Sequence, residues 1–153
     1  MRSVEERRFA LRDGTGLFYR YWPGAEKKSI VLLHRGHEDS GRLAHVAEEL
    51  QFSEFAVFAW DARAQGKSEG EQDSSVTMST FSSNLDEFVR HIREVYGIEM
   101  PEIAVVAQSV GAVFAAAWVH DYAPQIRCLV LASPTSVCQF GTPSSATFLS
   151  SRM

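Results

Sequence analysis

Short apolar runs recur along this sequence. They are separated by polar loops and by stretches in which apolar residues recur at helical spacing. Four such runs occupy residues 29–33, 55–60, 103–107 and 127–132. Each run is too short for a buried helix and is almost continuously apolar, which is typical of strands covered on both faces. The pattern therefore predicts four strands of a largely parallel sheet.

Helices are predicted in three of the intervals. Residues 81–96 keep the helical period and stop at Gly97, a common helix terminator, whereas residues 74–80 are polar and expected to be irregular. A second helix begins with the apolar run at 110–119 and ends at Y-A-P, residues 122–124. A third follows Ser40, its predicted N-cap, because apolar residues recur there on one helical face. Those apolar residues are Leu43, Val46, Ala47 and Leu50.

A hairpin is predicted near the start of the chain. Residues 8–12 and 17–22 mix polar and apolar side chains on either side of a glycine-rich link, D-G-T-G at 13–16. This pattern favours two antiparallel strands at a sheet edge. With the four apolar runs it gives an α/β fold of about six strands, mostly parallel, with helices on both faces.

The stretch from residue 103 to 119 has the strongest chemical signal. Its apolar run passes into a helix through Q-S-V-G at 108–111, which leaves no room for a loop. A strand that turns so sharply into a helix presents the apex residue, Ser109, above the carboxyl end of the sheet, as in a nucleophile elbow. The alternative is that Ser109 serves only as a helix N-cap.

Bulk properties narrow the class of protein. The chain has 153 residues, enough for one sizeable core, and a net charge of −4, which argues against a nucleic-acid partner. No apolar segment follows the charged start, M-R-S-V-E-E-R-R, so neither a signal peptide nor a membrane span is expected. Cys128 in an apolar run and Cys138 in a polar segment favour a reduced, cytoplasmic protein.

The final segment differs from the rest of the chain. Residues 135–153 are rich in Ser and Thr, show no period and carry one charged side chain, Arg152. This composition predicts a disordered or loosely packed tail. The expected organisation is therefore a partial domain over residues 1–134 followed by this tail.

Three motifs stand in a fixed order along the predicted strands. They are H-R-G-H-E-D-S-G-R at 34–42, W-D-A-R-A-Q-G-K-S at 60–68 and A-Q-S-V-G at 107–111. Their order and spacing resemble the α/β-hydrolase superfamily, specifically its monoacylglycerol lipase, lysophospholipase and serine aminopeptidase-like branch. The N-terminal sequence is also similar to bacterial proteins in which such a hydrolase precedes a methyltransferase domain. The resemblance covers residues 8 to about 134 and implies the N-terminal half of an α/β-hydrolase.

The resemblance implies a role for each matched residue near the apex. Ser109 matches the nucleophile, and the backbone N–H groups of Val110 and Gly36 match the two oxyanion donors. Gly111 matches the small residue that lets the strand and the helix pass close together. Ala107 replaces the first glycine of the usual motif, which is a mild departure.

The resemblance also implies supporting loops. His34 is similar to the family's structural histidine, not to its base, and Arg35 stands where relatives often have glycine. The second motif matches a loop that supports the active-site face, although Ala64 and Gln65 replace the usual Gly-His pair. The matched residues of that loop are Asp61, Arg63, Gly66 and Ser68.

The rest of the catalytic triad is expected to be missing. In this fold the acid and the histidine follow the serine along the chain, and after Ser109 only His120 and Asp121 are available. Both fall in the predicted helix that begins at Ser109, and His120 is about 16 Å along it. His37 is the one histidine in a loop near Ser109. A truncated or frameshifted gene accounts for this arrangement most simply.

Two functional hypotheses follow. The first is a serine hydrolase that cleaves carboxylic esters, with acylglycerol or lysophospholipid-like substrates and no cofactor. The second is an inactive fragment or pseudoenzyme that acts as an interaction module, with possible self-association through an exposed edge strand at 127–132. A metal site formed by His34, His37 and Glu38 is the weakest alternative, because their spacing matches no strong zinc pattern.

Overall fold

A computed structural model describes residues 2–49, 52–71 and 76–134. The predicted tail at 135–153 and the predicted helix position Leu50 lie outside the described residues. The strands are β1 (Glu5–Ala10), β2 (Gly16–Trp22), β3 (Ser29–Leu33), β4 (Ala56–Trp60), β5 (Ile103–Gln108) and β6 (Cys128–Ala132). The α-helices are α1 (Ala44–Glu48), α2 (Met78–Tyr96) and α3 (Val110–Tyr122), and short 3-10 helices cover Ser40–Leu43 and Met100–Glu102.

The six strands form one mixed sheet in the order β1-β2-β4-β3-β5-β6. β1 pairs antiparallel with β2, and β2 pairs antiparallel with β4, whereas β4, β3, β5 and β6 run parallel to one another. The predicted α/β class, the six strands and the antiparallel hairpin are therefore confirmed. The first strand lies at Glu5–Ala10 and not at the predicted 8–12, because residues 11–15 form the turn, in which the Leu11 N–H donates to Thr15 O. Because the parallel strands point the same way, the loops that follow β3, β4 and β5 meet at one edge of the sheet.

Alternate residues of the parallel strands enter two hydrophobic clusters, one on each face. In β3, Val31 and Leu33 join the cluster under α2 and α3, while Ile30 and Leu32 join the cluster under α1. Strands buried on both faces need apolar residues at every position, which is why their sequences show no alternation. The α2 and α3 side is larger and contains Trp60, Trp118 and Phe88, whereas Trp22 lies in the cluster under α1.

The structure corrects two helix boundaries. α2 begins at Met78, three residues before the predicted start, because the Thr77 side chain accepts a hydrogen bond from the Thr80 N–H at 3.1 Å and caps a polar first turn. Ser40 is not an N-cap. The Asp39 carboxylate accepts from the Gly41 N–H at 2.7 Å and caps the short helix, while Ser40 is buried in its first turn.

Candidate active site

Ser109 joins β5 directly to α3. Its backbone has φ 56° and ψ −124°, a positive φ that is rare for a residue with a side chain and costs about 1–3 kcal/mol. Its N–H donates to Ala132 O at 2.9 Å, and its carbonyl accepts from the Ala112 N–H at 3.0 Å. The side chain makes no capping hydrogen bond to the helix, so the simple N-cap alternative has no support.

The loop after β3 lies directly against the start of α3. A Cβ on Gly111 would stand 2.6 Å from His34 O, and a Cβ on Gly36 would stand 3.1 Å from the Val110 side chain. The first distance is impossible without moving backbone, so glycine is required at 111. The second distance is shorter than an ordinary van der Waals contact and would require the Val110 side chain to shift. Gly36, Val110 and Gly111 are therefore brought together beside Ser109.

Both ring nitrogens of His34 are engaged with the backbone. Nε2 lies 3.0 Å from the Ala62 N, whose N–H donates to it, so the ring proton is on Nδ1, which donates to Arg35 O at 2.7 Å. The side chain is 4% exposed. These contacts tie the loop after β3 to the loop after β4 and leave no lone pair on His34 to accept a proton from a substrate.

Asp61 is the centre of the loop after β4. Its carboxylate is fully buried and accepts from the Ser40 N–H at 2.7 Å and the Lys67 N–H at 2.8 Å. Its carbonyl accepts from the Ser68 hydroxyl, whose oxygen accepts in turn from the Phe18 N–H. Gly66 has φ 54°, and a Cβ there would overlap the Asp61 carboxylate. Asp61 therefore holds the backbone of the loop after β3, through Ser40, and the backbone of its own loop, through Lys67.

Arg63 and Arg35 point to different partners. The Arg63 guanidinium donates to Thr15 Oγ1 at 2.8 Å and to the Asp13 carboxylate at 2.5 Å, so it ties this loop to the hairpin turn. The backbone N–H of Thr15, followed by Arg63, lowers the pKa of Asp13 to about 2. Arg35 forms an ion pair with Glu38 at 2.7 Å, and this hydrogen bond raises the pKa of Arg35.

Two cavities border these loops. The larger, about 440 Å³, opens on the α1 side of the sheet between Arg35, Leu43, Val106 and Gln108. The smaller, about 10 Å³, lies among Gly36, Gln65, Val110 and Phe114. From the sequence, Gln65 is noticeable only because it departs from the Gly-His pair of the usual motif. No pattern in the neighbouring sequence indicated that this residue lines the cavity.

The remaining histidines are spread over the molecule. His120 pairs with Asp121 at 2.8 Å, and both are exposed near the far end of α3. His91 bonds to Tyr19 in the α2 interface, while His37 and His45 are exposed. Within residues 2–49, 52–71 and 76–134, no three His, Cys, Asp or Glu side chains are grouped so as to hold a metal ion. The alternative site formed by His34, His37 and Glu38 is thus not assembled.

None of the helices in the described part of the chain combines the length and apolar character that crossing a bilayer requires.

Comparison with known proteins gives consistent results. A family model described as "Serine aminopeptidase, S33" matches residues 24–151. The sequence is 51% identical to the uncharacterized Escherichia coli (strain K12) protein YnbC over 82% of this chain and 22% of that protein. It is 30% identical to human monoglyceride lipase over 88% of this chain and 44% of that enzyme.

The fold is similar to that of an esterase from Pyrococcus furiosus, with a TM-score of 0.74 and 23% identity over 87% of this chain and 50% of that structure. The chain spans between 22% and 50% of the length of these three proteins.

Proposed function

The chain belongs to the serine aminopeptidase S33 family of α/β-hydrolases, and from that premise we propose that Ser109 is the nucleophile of a carboxylic ester hydrolase. The observation that carries the proposal is the strained backbone of Ser109 at the β5–α3 junction, beside the loop that contains Gly36. A positive φ in a side-chain-bearing residue is retained at functional sites when the surrounding structure holds it. The close contacts of Gly111 with the β3 loop supply that support.

The proposed reaction is acyl transfer through the serine. Ser109 Oγ attacks the ester carbonyl as its proton leaves to a base, and the carbonyl oxygen becomes an oxyanion. The N–H groups of Gly36 and Val110 stabilise that charge, each by about 3 kcal/mol. The alcohol then departs with a proton and leaves an acyl-serine. Water attacks this ester, the acid is released and the serine regains its proton.

The proposed substrates are acylglycerol or lysophospholipid-like esters. Human monoglyceride lipase, the rat enzyme and a monoacylglycerol lipase from Mycolicibacterium smegmatis all match this chain. An aminopeptidase activity is the weaker proposal, because it requires an acidic pocket for the substrate amine. The described residues around Ser109 include one acidic side chain facing the larger cavity, Glu38, and it is paired with Arg35.

We propose that proton transfer depends on a base other than His34 and His120. His34 is held by two backbone groups, and His120 lies about 16 Å along α3 from Ser109. The placements of His34 and His120 also favour the second candidate function. In that case the chain is a non-catalytic member of the family and binds other molecules. Removing triad members from an assembled site leaves slow catalysis of about 10³–10⁴-fold over water.

Ester hydrolysis by this chain tests the proposal. A short p-nitrophenyl ester and a monoacylglycerol are each incubated with the wild type, Ser109→Ala and the exposed-serine control Ser3→Ala. We expect only slow turnover by the wild type and Ser3→Ala, as for an incomplete triad, and a lower, background rate of release by Ser109→Ala. Equal rates for all three proteins would overturn the catalytic proposal for this chain and favour the binding role.

A further inference from the structure

Gln65 has a buried polar atom that the proposed chemistry does not use. Its Oε1 is shielded from solvent and has no hydrogen-bond partner among the described residues. A buried amide oxygen without a donor is unfavourable, and native proteins rarely leave one unsatisfied. The side chain lines the small cavity that also borders Gly36, Val110 and Gly111.

The backbone of Gln65 is held firmly. Its N–H donates to Ala62 O at 2.9 Å, and its carbonyl accepts from the Ser68 N–H at 3.0 Å. The preceding residue, Ala64, has φ 63°, and its N–H donates to Glu69 O at 3.0 Å. The turn therefore fixes where the Gln65 side chain starts, and the residue lines the cavity while its amide oxygen is buried.

The size of the cavity limits what can satisfy this oxygen. A volume of about 10 Å³ matches the space needed for one water and is far too small for a substrate group. Phe81 and Phe114 supply apolar walls. The polar groups left to bind a water are Gln65 Oε1, the backbone of residues 34–36 and the backbone of the first turn of α3. In that first turn the N–H groups have no acceptor within the helix.

We propose that Gln65 is a positioning residue whose Oε1 accepts a hydrogen bond from one water, which braces the loop at 34–36 against the start of α3. The inference rests on the proposed function, because the groups it positions are the N–H donors of Gly36 and Val110. Gln65 itself does not touch the substrate. Its role is to keep the two donors at a spacing that holds an anion next to Ser109.

The test uses a thiol as a local probe of anion stabilisation and does not require turnover. Ser109→Cys is introduced into the full chain together with Cys128→Ser and Cys138→Ser, and the thiol pKa is measured from the pH dependence of alkylation. A thiolate at a helix N-terminus with aimed N–H groups has a pKa below the ordinary value of about 8.5. We expect the thiol introduced by Ser109→Cys to show this lowered pKa when Cys128 and Cys138 are both replaced by Ser.

Three further substitutions then separate hydrogen bonding from packing. Gln65→Met keeps the length but removes the acceptor, and we expect it to raise the thiol pKa by about 0.3–0.7 unit. Gln65→His keeps an acceptor, matches the residue that the resemblance places there, and should preserve the lowered pKa. Gln125→Met, on an exposed loop after α3, is the control and should have no effect.

The outcomes distinguish this inference from the proposed function. A lowered thiol pKa that does not change with Gln65→Met overturns the inference alone. An equal rise of the thiol pKa with Gln65→Met and with Gln65→His also overturns it, because such a rise would indicate an effect of packing. An ordinary thiol pKa before Gln65 is changed overturns the anion site itself and the inference with it. A lowered pKa that responds to Gln65→Met supports the inference even if ester turnover is absent.

A high-resolution crystal structure of the wild type gives a second readout if Gln65→Met does not fold. One ordered water within hydrogen-bond distance of Gln65 Oε1 and of the backbone at 34–36 or 110–111 supports the inference. A dry cavity, or a direct protein donor to Oε1, overturns it.

Discussion

At the scale of single residues, buried polar side chains hold this molecule's loops in place. Asp61 and His34 each bond to backbone groups of another loop, so that the turns after β3 and β4 constrain each other. Such contacts matter because a buried N–H that loses its acceptor costs about 1–3 kcal/mol. The geometry beside Ser109 is therefore set by side chains that need not contact a substrate.

His91 belongs to a second polar cluster, where α2 packs on the hairpin. Its Nε2 lies 3.0 Å from the Tyr19 hydroxyl, which lies 2.9 Å from the Tyr96 hydroxyl, and Phe9 stacks on its ring at 4.7 Å. Burial lowers the pKa of His91, Glu94 opposes this effect and Arg7 adds to it. The neutral ring is thus the form that the folded protein favours.

We predict that this histidine makes stability dependent on pH. Above the unfolded-state pKa of about 6.5 the ring is neutral in both states, and its contribution is constant. As the pH falls from there towards the lower folded-state pKa, the unfolded chain binds the proton more readily and the free energy of unfolding decreases. His91→Gln keeps an acceptor for Tyr19 but does not titrate, so the loss between pH 8 and pH 5 should be smaller.

Urea denaturation at several pH values measures this effect, with the exposed His45→Gln as the control. Equal pH dependence in the wild type and His91→Gln would show that protonation of His91 is not coupled to folding.

At the scale of elements, β6 stands apart from the other parallel strands. It pairs with β5 on one side and has no strand on its other side among the described residues. Four of its five residues are exposed, including Val130 and Leu131 at 47% and 40%. An apolar edge strand without charges or proline presents free backbone groups to another chain.

We predict that Val130→Lys reduces self-association of this chain. A lysine on an edge strand opposes strand pairing by charge repulsion, so the fraction of dimers and larger species in sedimentation velocity should fall at a fixed protein concentration. Val95→Lys is the matched control, since Val95 is 57% exposed on α2 and away from any strand edge. A wild type that sediments as a monomer at all concentrations would contradict the prediction.

At the scale of the whole molecule, Arg2 connects segments that are distant in sequence. Its guanidinium donates to five backbone carbonyls, which lie at the end of β2, in α1 and just before β4. The acceptors are Trp22, Pro23, Ala47, Phe52 and Phe55, at distances from 2.6 to 3.4 Å. Partial burial among carbonyls lowers the pKa of Arg2.

We predict that Arg2→Ala lowers the free energy of unfolding by about 2 kcal/mol, because hydrogen bonds from a charged donor contribute about 1.5–3 kcal/mol. Arg2→Lys should recover only part of this, since an ammonium has three donors and a guanidinium has five. Chemical denaturation measures both variants, with the exposed Arg12→Ala as the control. A stability for Arg2→Ala equal to that of the control would show that these contacts contribute nothing in solution.

The sequence by itself determined the elements and the positions of the motifs. The strand at 29–33 matched to the residue, and the strands at 55–60, 103–107 and 127–132 matched to within one residue, because each is a nearly continuous apolar run. Burial on both faces accounts for that run in β3 and β4, whereas four of the five residues of β6 are exposed. The start of α2 was wrong, since a polar first turn held by Thr77 carries no apolar period. The junction at Ser109 was predicted because a sharp strand-to-helix turn is a local feature of the chain.

Only the tertiary structure decided how these elements meet. It placed β4 between β2 and β3, fixed the proton of His34 on Nδ1 and buried the Asp61 carboxylate beneath two backbone N–H groups. It also brought Gln65 to the cavity beside Gly36 and Val110. Each of these facts includes at least one contact between residues more than 20 positions apart, and local periodicity carries no information about which of those contacts form.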